Sequence, residues 1–114
     1  MAVSTPAELD RTKIKALIAR EQQALNERTK GSGEMYERAR RSLSGGVASS
    51  YQLRDPWPIY LERGSGPRVW DVDGNEFYDF HNGFGSMVQG HAHPAIVRAV
   101  TERMPLGTHF AAVT

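Results

Sequence analysis

Ile59-Tyr60-Leu61-Glu62-Arg63, Arg68-Val69-Trp70-Asp71-Val72 and Glu76-Phe77-Tyr78-Asp79-Phe80 alternate apolar with polar side chains, the period of a strand with one face in a core. Gly64-Ser65-Gly66-Pro67 separates the first two runs and Asp73-Gly74-Asn75 the last two. Residues 59–80 are therefore predicted to form a three-stranded antiparallel meander. Asp-Gly between strands signals a two-residue hairpin turn, in which both turn positions need positive φ.

Helical signals lie on either side of this stretch. Thr5, Pro6 and Glu8 supply a hydroxyl cap, a proline at the first helical position and a glutamate three residues after the cap. A helix is predicted from there to about residue 29, with Ile14, Leu17, Ile18 and Leu25 on one stripe. Lys30-Gly31-Ser32-Gly33 breaks it, and Ser32 caps a second helix over residues 34–43. Met35, Ala39 and Leu43 share the inner face of that helix, and Arg38, Arg40 and Arg41 point into water. Small residues over 44–50, then Asp55-Pro56-Trp57-Pro58, read as a loop. Beyond the sheet, a helix starts at Pro94, capped by His93, and ends before Pro105, with Ile96, Val97, Val100 and Met104 as its buried stripe. The class is α+β.

The net charge of +1 gives no basis for nucleic-acid or membrane attraction. No apolar run is long enough to span a bilayer. The absence of cysteine removes disulfide scaffolds, thiolate metal sites and cysteine nucleophiles, and fits a cytoplasmic location. Asp71-Val72-Asp73-Gly74-Asn75 fails as a calcium loop, because its glycine is fourth rather than sixth and the twelfth residue is Asn82. His91 and His93, two apart, suit either a metal pair or a structural loop whose imidazoles bond to backbone groups. The glycines of 83–90 match neither the dinucleotide nor the Walker spacing.

Four runs in order, SGGVASS (44–50), IYLERGSGPRVWDVDGNEFYDF (59–80), NGFGSMVQGHAHPAIVRAV (82–100) and GTHF (107–110), resemble the class III aminotransferases, in their glutamate-1-semialdehyde aminomutase branch. The resemblance implies a homodimeric fold-type-I enzyme that uses pyridoxal 5'-phosphate. Such an enzyme moves an amino group between an amino acid or amine substrate and an oxo-acid or aldehyde acceptor. Residues 1–43 are expected to be N-terminal helices and 59–80 the antiparallel sheet, and the resemblance implies that 44–58 is a substrate-side loop and 81–114 the start of the large cofactor-binding domain. In the aminomutase pattern a serine and an arginine of the loop bind substrate carboxylate. Ser49 matches the serine, and Gln52 stands where the arginine would be. Phe84 replaces a tryptophan and keeps an aromatic wall. No catalytic or cofactor-binding residue is expected in this chain, whose lysines are Lys13, Lys15 and Lys30, all outside the resemblance. The chain is expected to be a truncated piece, inactive alone. The alternatives are the aminomutase itself, or a partner-binding module acting through the first helix and the Arg38, Arg40 and Arg41 face.

Overall fold

Trp57 organises the first of two units into which the computed structural model divides, between Pro58 and Ile59. The structure describes residues 10–112. Helix α1 (Arg11–Arg28) is capped by Asp10, whose Oδ1 accepts from the Lys13 amide at 2.9 Å. The predicted start at Thr5, Pro6 and Glu8 lies outside the described residues. Asp10 is extended, with φ −70° and ψ 94°, so one helix does not run through to residue 29. Ile14, Leu17 and Ile18 all stay exposed along α1.

The break between helices falls at Thr29 rather than in the glycine run. Thr29 leaves helical geometry (φ −125°, ψ 36°), and its Oγ1 donates to the Leu25 carbonyl at 2.8 Å while accepting from Trp57 Nε1 at 3.0 Å. Threonine competes with its own backbone for hydrogen bonds, and the indole fixes the outcome. Helix α2 (Lys30–Ala39) then contains Gly31, Ser32 and Gly33. Ser32 is fully buried and is not a cap. A Cβ on Gly33 would meet Trp57 Cδ2 at 3.2 Å, so glycine lets the helix pack closely on the indole face where a side chain would crowd it. That contact offsets the weak helix propensity of glycine, about 1 kcal/mol below alanine. The helix stops at Ala39, four residues before the predicted end, and the Arg40 amide closes it on Tyr36. Arg38, Arg40 and Arg41 are exposed, as the charge pattern implies, and Arg40 pairs with Glu37 at 3.3 Å. Leu43, expected on the inner face, is exposed beyond the helix end.

In the second unit, β1 (Leu61–Ser65), β2 (Arg68–Asp71) and β3 (Glu76–Tyr78) form an antiparallel sheet in the order β1-β2-β3. The meander is the predicted one, with shifted ends. A register irregularity between Leu61 and Arg63 slides β1 forward, so Ser65 pairs with Arg68 and the turn shrinks to Gly66-Pro67. The Asp-Gly turn differs more. Gly74 has positive φ (82°), but Asp73 is not in that region, so this is not a two-residue primed turn. The fully buried Asp71 builds the connection instead. Its Oδ1 accepts from the Asp73 and Asn75 amides at 3.1 and 2.7 Å, and its Oδ2 from Asn75 Nδ2 at 2.9 Å. Val69 is the buried apolar residue of the sheet.

Helix α3 (Pro94–Arg103) begins where predicted, with the Ala95 amide donating to His93 Nδ1 at 3.3 Å. Its stripe is not buried. Ile96, Val97, Val100 and Met104 are 51%, 50%, 50% and 58% exposed, because no second layer covers that face among the described residues.

Replacing Trp57 by Phe keeps a ring against Gly33 but deletes the bond to Thr29. Leaving the buried Thr29 hydroxyl short of a donor is expected to lower unfolding free energy by about 1–2 kcal/mol, measured by urea titration of helical circular dichroism.

Candidate functional site

Ser49 and Gln52 are neighbours because the chain makes a single helical turn over Ser50–Gln52. Ser49 caps that turn in extended geometry (φ −144°, ψ 141°). Its side chain accepts from the Gln52 amide, while Gln52 Oε1 accepts from the Ser49 amide at 3.2 Å. This reciprocal pair is a capping box, in which each side chain satisfies the other's backbone N–H. Both residues are exposed, so the pair is open to a ligand. Gln52 therefore supplies an acceptor that arginine lacks altogether. The amide at this position shapes the loop as well as changing its charge.

Phe84 lies in the second unit, on the segment that leaves β3. Asn82, Gly83, Phe84 and Gly85 have φ of 54°, 55°, 58° and 82°, a left-handed turn closed by the Met87 amide on the Asn82 carbonyl at 3.2 Å. Left-handed geometry disfavours side chains with a Cβ, and Phe84 adopts it between two glycines. Its ring is 78% exposed and meets the His81 ring edge-on at 4.3 Å between centroids. The same unit holds an open cleft of about 450 Å³, walled by Pro67, Asp79, Phe80, Val88, Gln89 and His91. Phe84 is not among the residues that wall this cleft.

The polar centre of the cleft is a pair that the sequence did not single out. His91 Nε2 lies 2.7 Å from Asp79 Oδ2, and Asp79 Oδ1 accepts from the His81 and Asn82 amides at 2.9 and 2.8 Å. The His91 side-chain bond, then the Asn82 amide, hold the Asp79 carboxyl below its ordinary value of 3.8; partial burial opposes them, and the His81 amide adds to them. The two histidines of the GHAHP run act separately: His91 faces a carboxylate, and His93 caps α3. Among the described residues, no three His, Asp or Glu side chains gather where a metal ion would sit. No helix among them is long and apolar enough to cross a membrane.

Residues 50–114 match the family described as aminotransferase class-III, and the chain belongs to that family. Over 81 residues it is 43% identical to a glutamate-1-semialdehyde 2,1-aminomutase of Methanopyrus kandleri, a match covering 71% of this chain and 19% of that protein. A solved transaminase with PLP bound superposes with TM-score 0.69 at 40% identity, over 75% of this chain and 20% of its own. A glutamate-1-semialdehyde-aminomutase from Pseudomonas aeruginosa gives TM-score 0.79 at 28% identity, over 93% of this chain and 24% of its own. The helices and three-stranded sheet thus match the N-terminal part of such enzymes. The chain spans about a fifth of the length of the curated relatives it matches.

Because the Asp79 carboxyl titrates lower when folded, its contribution to stability is complete above the ordinary value of 3.8 and is lost as pH falls through the lower folded value. Thermal melts across that acid range are expected to show the parent losing its advantage over Asp79→Asn, with the gap widest at neutral pH.

Proposed function

We propose that the chain is the N-terminal part of a pyridoxal-phosphate-dependent aminotransferase that transfers an amino group between an amino acid or amine and an oxo acid or aldehyde. The match of residues 50–114 to the class III family carries this assignment, and the likeness to a PLP-bound transaminase supports it. The intact enzyme is proposed to be a homodimer, as the family resemblance implies, and cytoplasmic, in keeping with this chain's cysteine-free sequence.

Bound pyridoxal phosphate supplies the electron sink for amino transfer. The residues of this segment do not fit it. Schiff-base chemistry needs a lysine, and none follows Lys30, which opens α2 in the first unit. The Asp79 carboxylate beside the cleft is already engaged by His91 and two backbone amides. The segment's share is substrate recognition, from Ser49 and Gln52 on the capped turn and from Phe84 on its loop. Ser49 offers a hydroxyl and Gln52 a neutral amide. Such a pair suits a substrate whose polar end at this position is uncharged, since only a guanidinium forms the charge-assisted bidentate bond to carboxylate.

The aminomutase is the second assignment, favoured by the 43% identity to the Methanopyrus kandleri enzyme. Gln52 and Phe84 depart from that branch, whose pattern has an arginine and a tryptophan at these positions.

The 114-residue chain mixed with pyridoxal phosphate is expected to emerge from gel filtration without cofactor absorbance; a retained band would place the cofactor site in this segment. In the intact enzyme, Gln52→Arg is expected to raise kcat/KM for carboxylate-bearing amino donors by about tenfold, the effect of one charge-assisted bond. An unchanged ratio between carboxylate-bearing and neutral donors would remove Gln52 from substrate recognition.

A further inference from the structure

Residues 80–90 form an excursion in which Phe80, Phe84 and Val88 stay out of any core among the described residues, 96%, 78% and 81% exposed. An unrestrained loop would fold such side chains onto nearby apolar surface. Its two ends are instead fastened together. The Gly66 amide donates to the His91 carbonyl at 2.9 Å, and the His91 amide returns a bond to the Gly66 carbonyl at 2.8 Å. The Asp79 amide donates to the Pro67 carbonyl at 2.8 Å. Across this base the Asp79 and His91 side chains meet at 2.7 Å. The His91 side chain packs on β1 at Gly64, where a Cβ would sit 2.6 Å from His91 Cγ, so the ring reaches Asp79 only over a glycine.

We propose that Asp79 and His91 are positioning residues, a side-chain clasp that holds residues 80–90 as a presented loop and so fixes where Phe84 stands. The closed base orders the loop without burying it, which leaves its aromatic and aliphatic groups available to an apolar portion of a substrate. Phe84 as a substrate contact rests on the aminotransferase assignment, whereas the clasp itself does not. Asp79 is the charged group that faces the His91 ring. From β1 the ring meets Gly64, which carries no side chain, and the His81 ring is turned to Phe84.

The test uses nuclear magnetic resonance of the 114-residue chain. Asp79→Ala and His91→Ala are each expected to speed exchange of the Gly66 and His91 amides by about tenfold. Both should move the Phe84 and Val88 signals toward averaged positions. Asp79→Asn keeps an acceptor for the His81 and Asn82 amides and should recover part of the protection. The double variant should be no worse than the worse single, since both remove one interaction. Gly64→Ala keeps both partners but displaces the ring, and should reproduce the loop changes. Amides of Val69 and Phe77, paired within the sheet, report that the fold persists. Unmoved loop signals with a protected sheet, or additive losses in the double variant, would overturn the clasp. If the variants unfold, the parent decides: Phe84 signals must shift together with the Asp79 carboxyl as it is protonated, and independent movement would equally overturn it. Either failure leaves the Gln52 comparison standing as a separate test of the aminotransferase assignment.

Discussion

Asp71 accepts three hydrogen bonds from residues within four positions of itself and is cut off from solvent. A buried carboxylate is strongly unfavourable unless its lone pairs are filled, so the connection from β2 to β3 closes only in the form that fills them. That form sets the register: Arg68 opposite Tyr78, Val69 opposite Phe77 and Trp70 opposite Glu76. The same register brings the Asp79 amide to Pro67 and its carboxylate to His91. A slip of one residue would send every β3 side chain to the other face and separate Asp79 from its partner. The cleft in the second unit thus depends on a turn that is not part of it.

Both units use the same device to order a chain with little core. Apart from Pro58, Val69 is the buried apolar side chain among the described residues, and the fully buried ones are polar: Thr29, Ser32 and Asp71. In the first unit the Trp57 indole passes over Gly33 to bond with Thr29. In the second the His91 ring passes over Gly64 to bond with Asp79. Each closure joins an aromatic ring to a short polar side chain across a position without a Cβ. Among the described residues, local order comes from directed polar contacts more than from the volume of apolar packing.

The features legible in the sequence are those with a local cause. Period-two alternation exposed the three strands, and His93-Pro94 marked the start of α3 because cap and proline act within one turn. Strand ends were not legible, since the irregularity at β1 and the Asp71 side chain override the Asp-Gly signal. The helix break at Thr29 depends on Trp57, 28 residues away. Ser49 and Gln52 emerged through their resemblance to a substrate loop, yet Ser-Ser-Tyr-Gln also carries the capping-box spacing, a signal that would have placed them on one turn without it. Nothing local links Asp79 to His91, whose meeting requires the fold. The stripe of α3 had the right period, but amphipathic spacing says which face seeks cover and not whether cover is present.

That half-exposed stripe has a calorimetric consequence. Ile96, Val97, Val100 and Met104 already touch water in the folded segment, so unfolding adds little new apolar hydration. The heat-capacity increment per residue then falls below the usual range of about 12–15 cal/mol/K, and the curve of free energy against temperature flattens. The enthalpy of unfolding consequently varies little with temperature, and cooling removes less stability than it would from a fully packed domain.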